Sequence, residues 1–363
     1  MRIAIISMQR VINYGSFLQA FALKSLLEKR GHEVKFADIE YKKGHPMCFN
    51  KNISKFKKLK NIDKYLLKRI DYSKKNKELN NKFRFWQNKY LSMCDDRMTT
   101  NGFDAVVLGS DEIFNCASNS RWGITAQRFG KIEGVEKTYT YAASCGYTAE
   151  KDLEKDDRKV VIDALSYLSG ISVRDRNTYN FIKSLTNKEP CYNLDPVLVY
   201  DFKEQIKIGE QEGVPKYPYM IVYAYHNRIS TKNEIKAIKS YARQKGLKTI
   251  SIGGSLPWCD EFVTISPFQV LAYFKHANCI VTDTFHGTIF SVKFSKKFAV
   301  IVRDSNKNKL EDLIKRLHIE KHCINEMNDL NKVLNINDLY IESKNEIEKG
   351  CINTVRYFDE IGL

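Results

Sequence analysis

The residues with chemistry to offer in this chain gather where apolar runs stop. In "CIVTDTFHGTIFSVKF", residues 279–294, the run Ile280–Val281 gives way to Thr282, Asp283, Thr284, Phe285, His286 and Gly287 before a second apolar run begins. That pattern predicts a buried strand, a polar knot and then a helix. Free backbone N–H groups at a helix start favour an anion. An imidazole there can donate to a phosphate or carboxylate, or act as a general acid. A histidine simply satisfied beneath a Thr/Asp cap is the plainer alternative. "ISVRDRNTYNFI", 171–182, likewise ends a strand in Arg174. Arginine is seldom buried without an anionic partner. Asp175 is either that partner or the cap of the next helix, and Arg174 is otherwise a fork for a ligand carboxylate or phosphate.

Three further stretches carry weaker signals. "VINYGSFLQ" places Asn13, Gly15 and Ser16 between a strand and a helix, which suits either an anion or a capped turn. It lacks the GxGxxG spacing of a dinucleotide site. "VVLGSDEIFN" ends a strand in Gly109, Ser110 and Asp111: glycine allows close approach, while Ser and Asp offer hydrogen bonds to a polyol or cap a helix. In "YNLDPVLVY" the Asp195-Pro196 pair reads as a turn more readily than as a catalyst.

The elements that must position these residues alternate from the first residue. "RIAIISM" (2–8), "HEVKFADI" (32–39), "FDAVVLGS" (103–110), "TYTYAAS" (138–144), "SGISVRD" (169–175) and "CYNLDPVLVY" (191–200) read as strands, with helices such as "FLQAFALKSLLEKRG" (17–31) between them. A second series opens near 217 with "PYMIVYAY", "LKTISIGG", "NCIVTDT" and "KFAVIV", again separated by helical patterns. Strands alternating with helices predict parallel sheets covered on both faces. The expected architecture is therefore α/β, with two Rossmann-like domains at about 1–200 and 201–335 and a C-terminal helical segment, 336–363, packing back on the first. Ligands in such sheets sit beyond the carboxyl ends of the strands, where the residues above lie.

Length and composition set bounds. The chain has 363 residues, more than one core usually holds, and its 43% hydrophobic and 28% charged residues are those of a folded, not a disordered, chain. No apolar run nears the roughly 20 residues of a membrane span, and "MRIAIISMQR" reads as a first core strand, not a signal peptide. Nine cysteines occur singly without a CxxC pair, which predicts reduced thiols in a cytoplasmic protein and no zinc site. The net charge of +16 is concentrated in residues 51–89, which carry 14 Lys/Arg against Asp63, Asp71 and Glu78. Apolar residues Ile53, Phe56, Leu59, Leu66, Leu67 and Ile70 interleave at helical spacing. We read a basic helical insert, about 45–98, that meets an anionic membrane surface or a pyrophosphate-linked carrier; a solvated basic face is the plainer reading. No nucleic-acid partner is expected.

Six blocks in order, "NYGSFLQAFAL", "GSDEIFN", "YAAS", "SVRDRNT", "LDPVL" and "TDTFHGTIFSVKFSKKF", run from residue 13 to about 300. Together they resemble the polysaccharide pyruvyl transferase family. The resemblance implies a GT-B-like pair of domains facing a cleft. It also implies transfer of the enolpyruvyl unit of phosphoenolpyruvate to two hydroxyls of one sugar, the acceptor being a sugar or lipid-linked oligosaccharide. It marks His286 as the histidine of the phosphoenolpyruvate site and Arg174 as its anion-binding arginine. Asp283 or Asp111 would orient the histidine or deprotonate a hydroxyl. Ser144, Asp175, Thr282, Thr284, Gly287 and Thr288 join the residues after β-strands as substrate contacts. No metal or cofactor is expected, phosphoenolpyruvate being the donor substrate. The chain departs from relatives in having Glu112, Ile113 and Phe114 where Gln-Val-Trp is common, and Thr284 where some carry an arginine. A glycosyltransferase using a sugar nucleotide and a polyanion-binding protein are the competing readings.

Overall fold

The computed structural model describes residues 1–38, 63–94, 100–116, 123–337 and 340–363; the side chains of 63–73 and 305 lie outside the description. The predicted apolar stripe Ile53–Ile70 of the basic insert therefore falls outside the described residues or side chains.

The first sheet holds β1 (Arg2–Ile6), β2 (Glu33–Phe36), β3 (Ala105–Asp111), β4 (Lys137–Ala143), β5 (Leu168–Gly170), β6 (Ser172–Val173) and β7 (Cys191–Tyr192). Its order is β2-β1-β3-β4-β6-β7, with β5 also on β4. The second sheet holds β8 (Tyr219–Tyr223), β9 (Lys248–Ile252), β10 (Glu261–Phe262), β11 (Cys279–Thr282) and β12 (Phe298–Val300), in the order β10-β9-β8-β11-β12. The pairings are parallel. Every residue of β3, β8 and β11 is buried, as strands covered on both faces must be. The architecture is two Rossmann-like domains facing a cleft, with strand order reversing at β1/β3 and again at β8/β11.

The helices are α1 (Tyr14–Glu28), α2 (Asp63–Tyr90), α3 (Lys155–Ser166), α4 (Arg176–Leu185), α5 (Pro196–Val199), α6 (Lys203–Glu212), α7 (Lys232–Gln244), α8 (Pro267–His276), α9 (Phe285–Lys293), α10 (Lys307–Arg316), α11 (Leu330–Leu334) and α12 (Ile341–Ile361). Their starts follow local chemistry. Asn13, Asp175, Thr231, Ser266 and Thr284 each accept a backbone N–H as N-caps, and Pro267 occupies the first turn of α8. The stretch 191–200, expected as one strand, pairs only at Cys191–Tyr192. Asp195 then caps α5 through the N–H of Val197 at 3.0 Å, with Pro196 in the first turn. An Asp-Pro pair starts a helix well and continues a strand poorly, since proline lacks the donor.

An aromatic cluster joins the two sheets' helices. Phe17 and Phe21 of α1 meet Phe268 of α8 at 6.3 and 5.1 Å, and Phe83 of α2 meets Tyr14 at 5.1 Å. Tyr14 also donates to the carbonyl of Ile265 at 2.7 Å. Each aromatic pair adds about 0.5–1.5 kcal/mol beyond its buried area. Helix α2, the described part of the basic insert, thus lies across the domain junction: Gln87 donates to the carbonyl of Gln9 at 2.7 Å, and Asn76 to Ser255 Oγ at 3.1 Å. Helix α12 returns to the first sheet, where Phe358 stacks on Tyr141 at 5.1 Å and Tyr357 donates to the carbonyl of Thr140 at 2.7 Å.

Candidate active site

Both strand-order reversals open into one cleft. From the first sheet come the β1–α1 loop with Asn13, Gly15 and Ser16, the end of β3 with Asp111, the end of β6 with Arg174, and Asp195 beyond β7. From the second come Arg228 beyond β8, the β11–α9 connection with Asp283 and His286, and Arg303 beyond β12. A crevice forms at such reversals because the flanking connections leave on opposite faces of the sheet.

Arg174 is the centre of a buried charge cluster. Its side chain is 1% exposed; Nη1 donates to Asp195 Oδ2 at 2.8 Å and Nη2 to Asp111 Oδ1 at 3.1 Å. Nη1 also lies 3.4 Å from Ser110 Oγ, and the guanidinium sits 4.5 Å over the ring of Phe285. Burial works against its charge, but Asp111 and Asp195 overcome that and hold its pKa above the ordinary value. Asp111 also accepts from Ser16 Oγ at 2.6 Å. Gly109, with φ at +122°, carries β3 past the carbonyl of Tyr141; a Cβ there would lie 2.3 Å from that oxygen.

His286 enters this cluster from the other sheet. Its Nε2 is 3.5 Å from Asp195 Oδ2, and the side chain is 8% exposed. The ring lies on the first turn of α1, so that a Cβ on Gly15 would fall 2.2 Å from its Nδ1. Glycine is required at 15 because the imidazole takes the space of a side chain. The cluster is complete only with the two domains together. Asn13 Nδ2 donating to Tyr225 at 3.3 Å and Lys309 Nζ donating to Glu112 also cross the cleft.

The electrostatics predict an acid response. Burial alone pushes the carboxyls of Asp111 and Asp195 up. Arg174, His286 and the Ser16 hydrogen bond outweigh it for Asp111, and His286, Arg174 and the Val197 N–H for Asp195, so both lie below their ordinary values. Groups depressed in the folded state bind fewer protons there than in the unfolded chain. Their stabilisation is present above the unfolded value of about 3.9 and is lost as pH falls toward the folded values. Urea unfolding is therefore expected to show stability falling below about pH 5, with a shallower fall in Asp195→Asn. Equal acid slopes for the two proteins would count against this charge arrangement.

Other predicted residues do different work. Asp283 was expected to orient His286 or take a hydroxyl proton, but its carboxylate faces away: Oδ2 is 3.2 Å from Arg303 Nε and 4.0 Å from Arg228 Nη1. Asp195, read from sequence as a turn residue, is the carboxylate beside His286. Arg174 was expected to offer its fork to a ligand, whereas two in-chain carboxylates occupy it. Asp175 caps α4, accepting from the N–H and hydroxyl of Thr178 at 2.8 and 2.7 Å, and does not pair with Arg174. Ser144 Oγ accepts the N–H of Gly146 at 3.1 Å. Thr282 Oγ1 donates to the carbonyl of Tyr223, Thr284 Oγ1 accepts the N–H of Gly287, and Thr288 Oγ1 donates to the carbonyl of Thr284. These hydroxyls shape the β11–α9 connection from within. Arg228, Arg303, Lys309 and Tyr225 were not singled out from sequence. Arg228, Arg303 and Tyr225 lie within a few residues of a strand end, whereas Lys309 stands in the first turn of α10. A narrow slot between the domains is lined by Glu112, Gly146, Tyr147 and residues of 304–309, including Lys307 and Lys309. Among the described residues no group of three or more His, Cys, Asp or Glu is placed to hold a metal ion.

The sequence model of the polysaccharide pyruvyl transferase family matches residues 13–305, from the Asn13 cap to beyond Arg303. The chain belongs to the polysaccharide pyruvyl transferase family. The match spans both halves of the cleft, so this pyruvyl transferase family member carries the family pattern on each side of the charge cluster. No curated protein matches the chain. Among solved structures, it is similar to UDP-GlcNAc 2-epimerase from Methanocaldococcus jannaschii, with 12% identity, 98% of this chain and 100% of that chain covered and a TM-score of 0.50. UDP-GlcNAc 2-epimerase from Neisseria meningitidis bound to UDP-GlcNAc matches at 11% identity over 98% of this chain and 100% of that one, with a TM-score of 0.45. The calicheamicin glycosyltransferase CalG4 matches at 12% identity over 100% and 99%, with a TM-score of 0.44. At 12% identity the likeness to the Methanocaldococcus jannaschii enzyme concerns the fold alone, the GT-B-like pairing of two Rossmann-like domains. No helix among the described residues is long and apolar enough to cross a membrane.

Proposed function

We propose that this protein transfers the enolpyruvyl unit of phosphoenolpyruvate onto two hydroxyls of one sugar, forming a cyclic pyruvate ketal during cell-surface polysaccharide synthesis. The family match over residues 13–305 carries this reading. The cluster around His286 gives it chemistry. His286 delivers a proton to the methylene carbon, the adjacent carbon becomes electrophilic, and a sugar hydroxyl adds to it. Asp195 positions the imidazole, and the imidazole, having given up its proton, accepts that of the adding hydroxyl. The second hydroxyl then displaces phosphate from the same carbon. Two C–O bonds form and one breaks; of the two hydroxyl protons, one balances the proton gained by the methyl carbon and the other leaves with phosphate.

The acceptor is proposed to enter by the slot beside Glu112 and Tyr147, whose amide, lysine and carboxylate groups suit a polyol. Helix α2 lies next to this cleft with Lys74, Lys75, Lys77, Lys82, Arg84 and Lys89 on its length. It would hold the protein, cytoplasmic and peripheral, against an anionic membrane or a pyrophosphate-linked acceptor. Incubation with phosphoenolpyruvate and a panel of acceptor glycans is expected to release phosphate with a matching mass gain on one glycan. Flotation is expected with anionic vesicles and not with neutral ones. A protein inert to phosphoenolpyruvate that binds a sugar nucleotide would instead be a glycosyltransferase. Equal flotation with both vesicle types would leave α2 a solvated face.

A further inference from the structure

The narrow slot between the domains carries a charge pair to which the reaction scheme gives no role. Glu112 follows Asp111 at the end of β3, Gly146 and Tyr147 follow β4, and Lys309 stands in the first turn of α10. Glu112 accepts from Lys309 Nζ on Oε1 and from Asn115 Nδ2 at 2.7 Å on Oε2. The Glu112 and Lys309 side chains are 21% and 18% exposed. Burial works against both charges, but each partner outweighs it for the other. The Glu112 carboxyl lies below its ordinary value and the Lys309 ammonium above its own. A Cβ on Gly146 would fall 2.8 Å from Glu112 Oε2, so glycine lets the chain pass beside the carboxylate. Tyr147, the next residue, is 50% exposed.

We propose that Glu112, Lys309 and Tyr147 form the subsite for the sugar that receives pyruvate, and that Glu112 makes it reject anionic sugars; this rests on the pyruvyl transfer reading above. An ammonium has three N–H groups, and among the described residues Glu112 is the hydrogen-bond partner of Lys309 Nζ. Each Glu112 oxygen accepts one hydrogen bond and keeps a second lone pair. The pair therefore sets donors and acceptors side by side, as two neighbouring hydroxyls require. One hydroxyl donates to the carboxylate and the other accepts from the ammonium. The half-exposed ring of Tyr147 gives the apolar face of a sugar a wall in the same slot.

The slot adjoins the charge cluster. Lys309 Nζ lies 6.0 Å from the centre of the Phe285 ring, which Arg174 covers at 4.5 Å. Asp111, which pairs with Arg174, is the residue before Glu112. A sugar held in the slot thus has the Asp111–Arg174 cluster beside it. The charges lining the slot cancel, Glu112 and Asp304 against Lys307 and Lys309. A uronate would set a second carboxylate beside Glu112, which already holds the lysine it would need. Like charges at that distance oppose binding, and a repulsion of this kind is how a site excludes a competitor.

Turnover of phosphoenolpyruvate with matched aryl hexosides and aryl hexuronides tests the selection without any substitution. The hexosides are expected to be accepted, and the hexuronides to bind at least about tenfold more weakly, read as competitive inhibition. Lys309→Met is expected to raise the hexoside KM by about 10–100-fold, the effect of losing a hydrogen bond to a charged group. Phosphoenolpyruvate affinity, read by calorimetry, should stay within about twofold, which also reports that the variant is folded. Glu112→Gln keeps the side chain's shape and removes its charge, so it should narrow the gap between hexuronide and hexoside. Misplacement alone weakens both sugars equally, so an unchanged gap in Glu112→Gln overturns the role of that charge. Hexuronides accepted as readily as hexosides, no hexoside accepted, or an unchanged hexoside KM in Lys309→Met overturns the subsite. Phosphoenolpyruvate binding by the same protein then leaves the transfer reading standing. A wild type that does not bind phosphoenolpyruvate overturns that reading, and the subsite with it.

Discussion

His286→Ala is expected to cut pyruvyl transfer by about 10²–10⁴-fold, the range for removal of a positioned general acid, with the fold retained. The helix bearing His286 does not depend on its imidazole. Thr284 caps α9 through the N–H of Gly287, and Thr282 fixes the preceding turn through the carbonyl of Tyr223. What the substitution removes is the imidazole that the second domain sets beside Asp195 in the Asp111–Arg174–Asp195 cluster. His286→Gln separates the two roles open to this residue. A glutamine can hydrogen-bond a phosphate but cannot deliver a proton, so it should match alanine in turnover if His286 is an acid. Single-turnover phosphate release, read beside phosphoenolpyruvate affinity, makes the distinction. An alanine variant keeping more than about a tenth of wild-type turnover would remove His286 from the chemistry.

The second large effect is on stability. Arg174→Met is expected to destabilise the protein by about 3–5 kcal/mol, because it leaves two carboxylates buried without their shared counter-ion. Asp195 is 2% exposed and Asp111 8%, so water cannot take over that role without opening the cleft. Arg174→Lys should recover only part of the loss, since an ammonium cannot span Asp111 and Asp195 with a planar fork. Urea unfolding of the two variants, and of Arg174→Met combined with Asp195→Asn, checks the arrangement. Neutralising one orphaned carboxylate should restore part of the lost stability. If Arg174→Met unfolds at the wild-type urea concentration, the guanidinium is not the cluster's counter-ion. The same result would reopen its assignment as a ligand arginine.

Local patterns carried the architecture. The strands alternate with helices because "AVVLGSD", "YMIVY" and "CIVT" must be dry on both faces, and a run that dry is legible without coordinates. The caps were legible for a similar reason. Asp175 and Thr284 bond to N–H groups three residues ahead, and an interaction of that span is written into adjacent residues; before α1 the cap is Asn13 where a serine was expected. From strand ends alone, therefore, the sequence marked the loops after β1, β3, β6 and β11, with His286 and Arg174 on two of them, and left those after β8 and β12 unmarked.

The partners of those residues were another matter. Arg174 bonds to Asp111, 63 residues before it, and to Asp195, 21 residues after it; Asp175, its neighbour, turns to its own helix instead. His286 rests on Gly15 and faces Asp195, both from the other domain. Asp283, three residues from His286, belongs to a different cluster because successive residues leaving a strand point to opposite sides. Asp195-Pro196 looked like a turn because Asp-Pro starts turns and short helices equally well. Only the place of β7 beside β6 brings its carboxylate to Arg174. A buried charge takes whichever opposite charge the strand order sets beside it, and strand order is a property of the packed sheets, decided by contacts far apart in the chain.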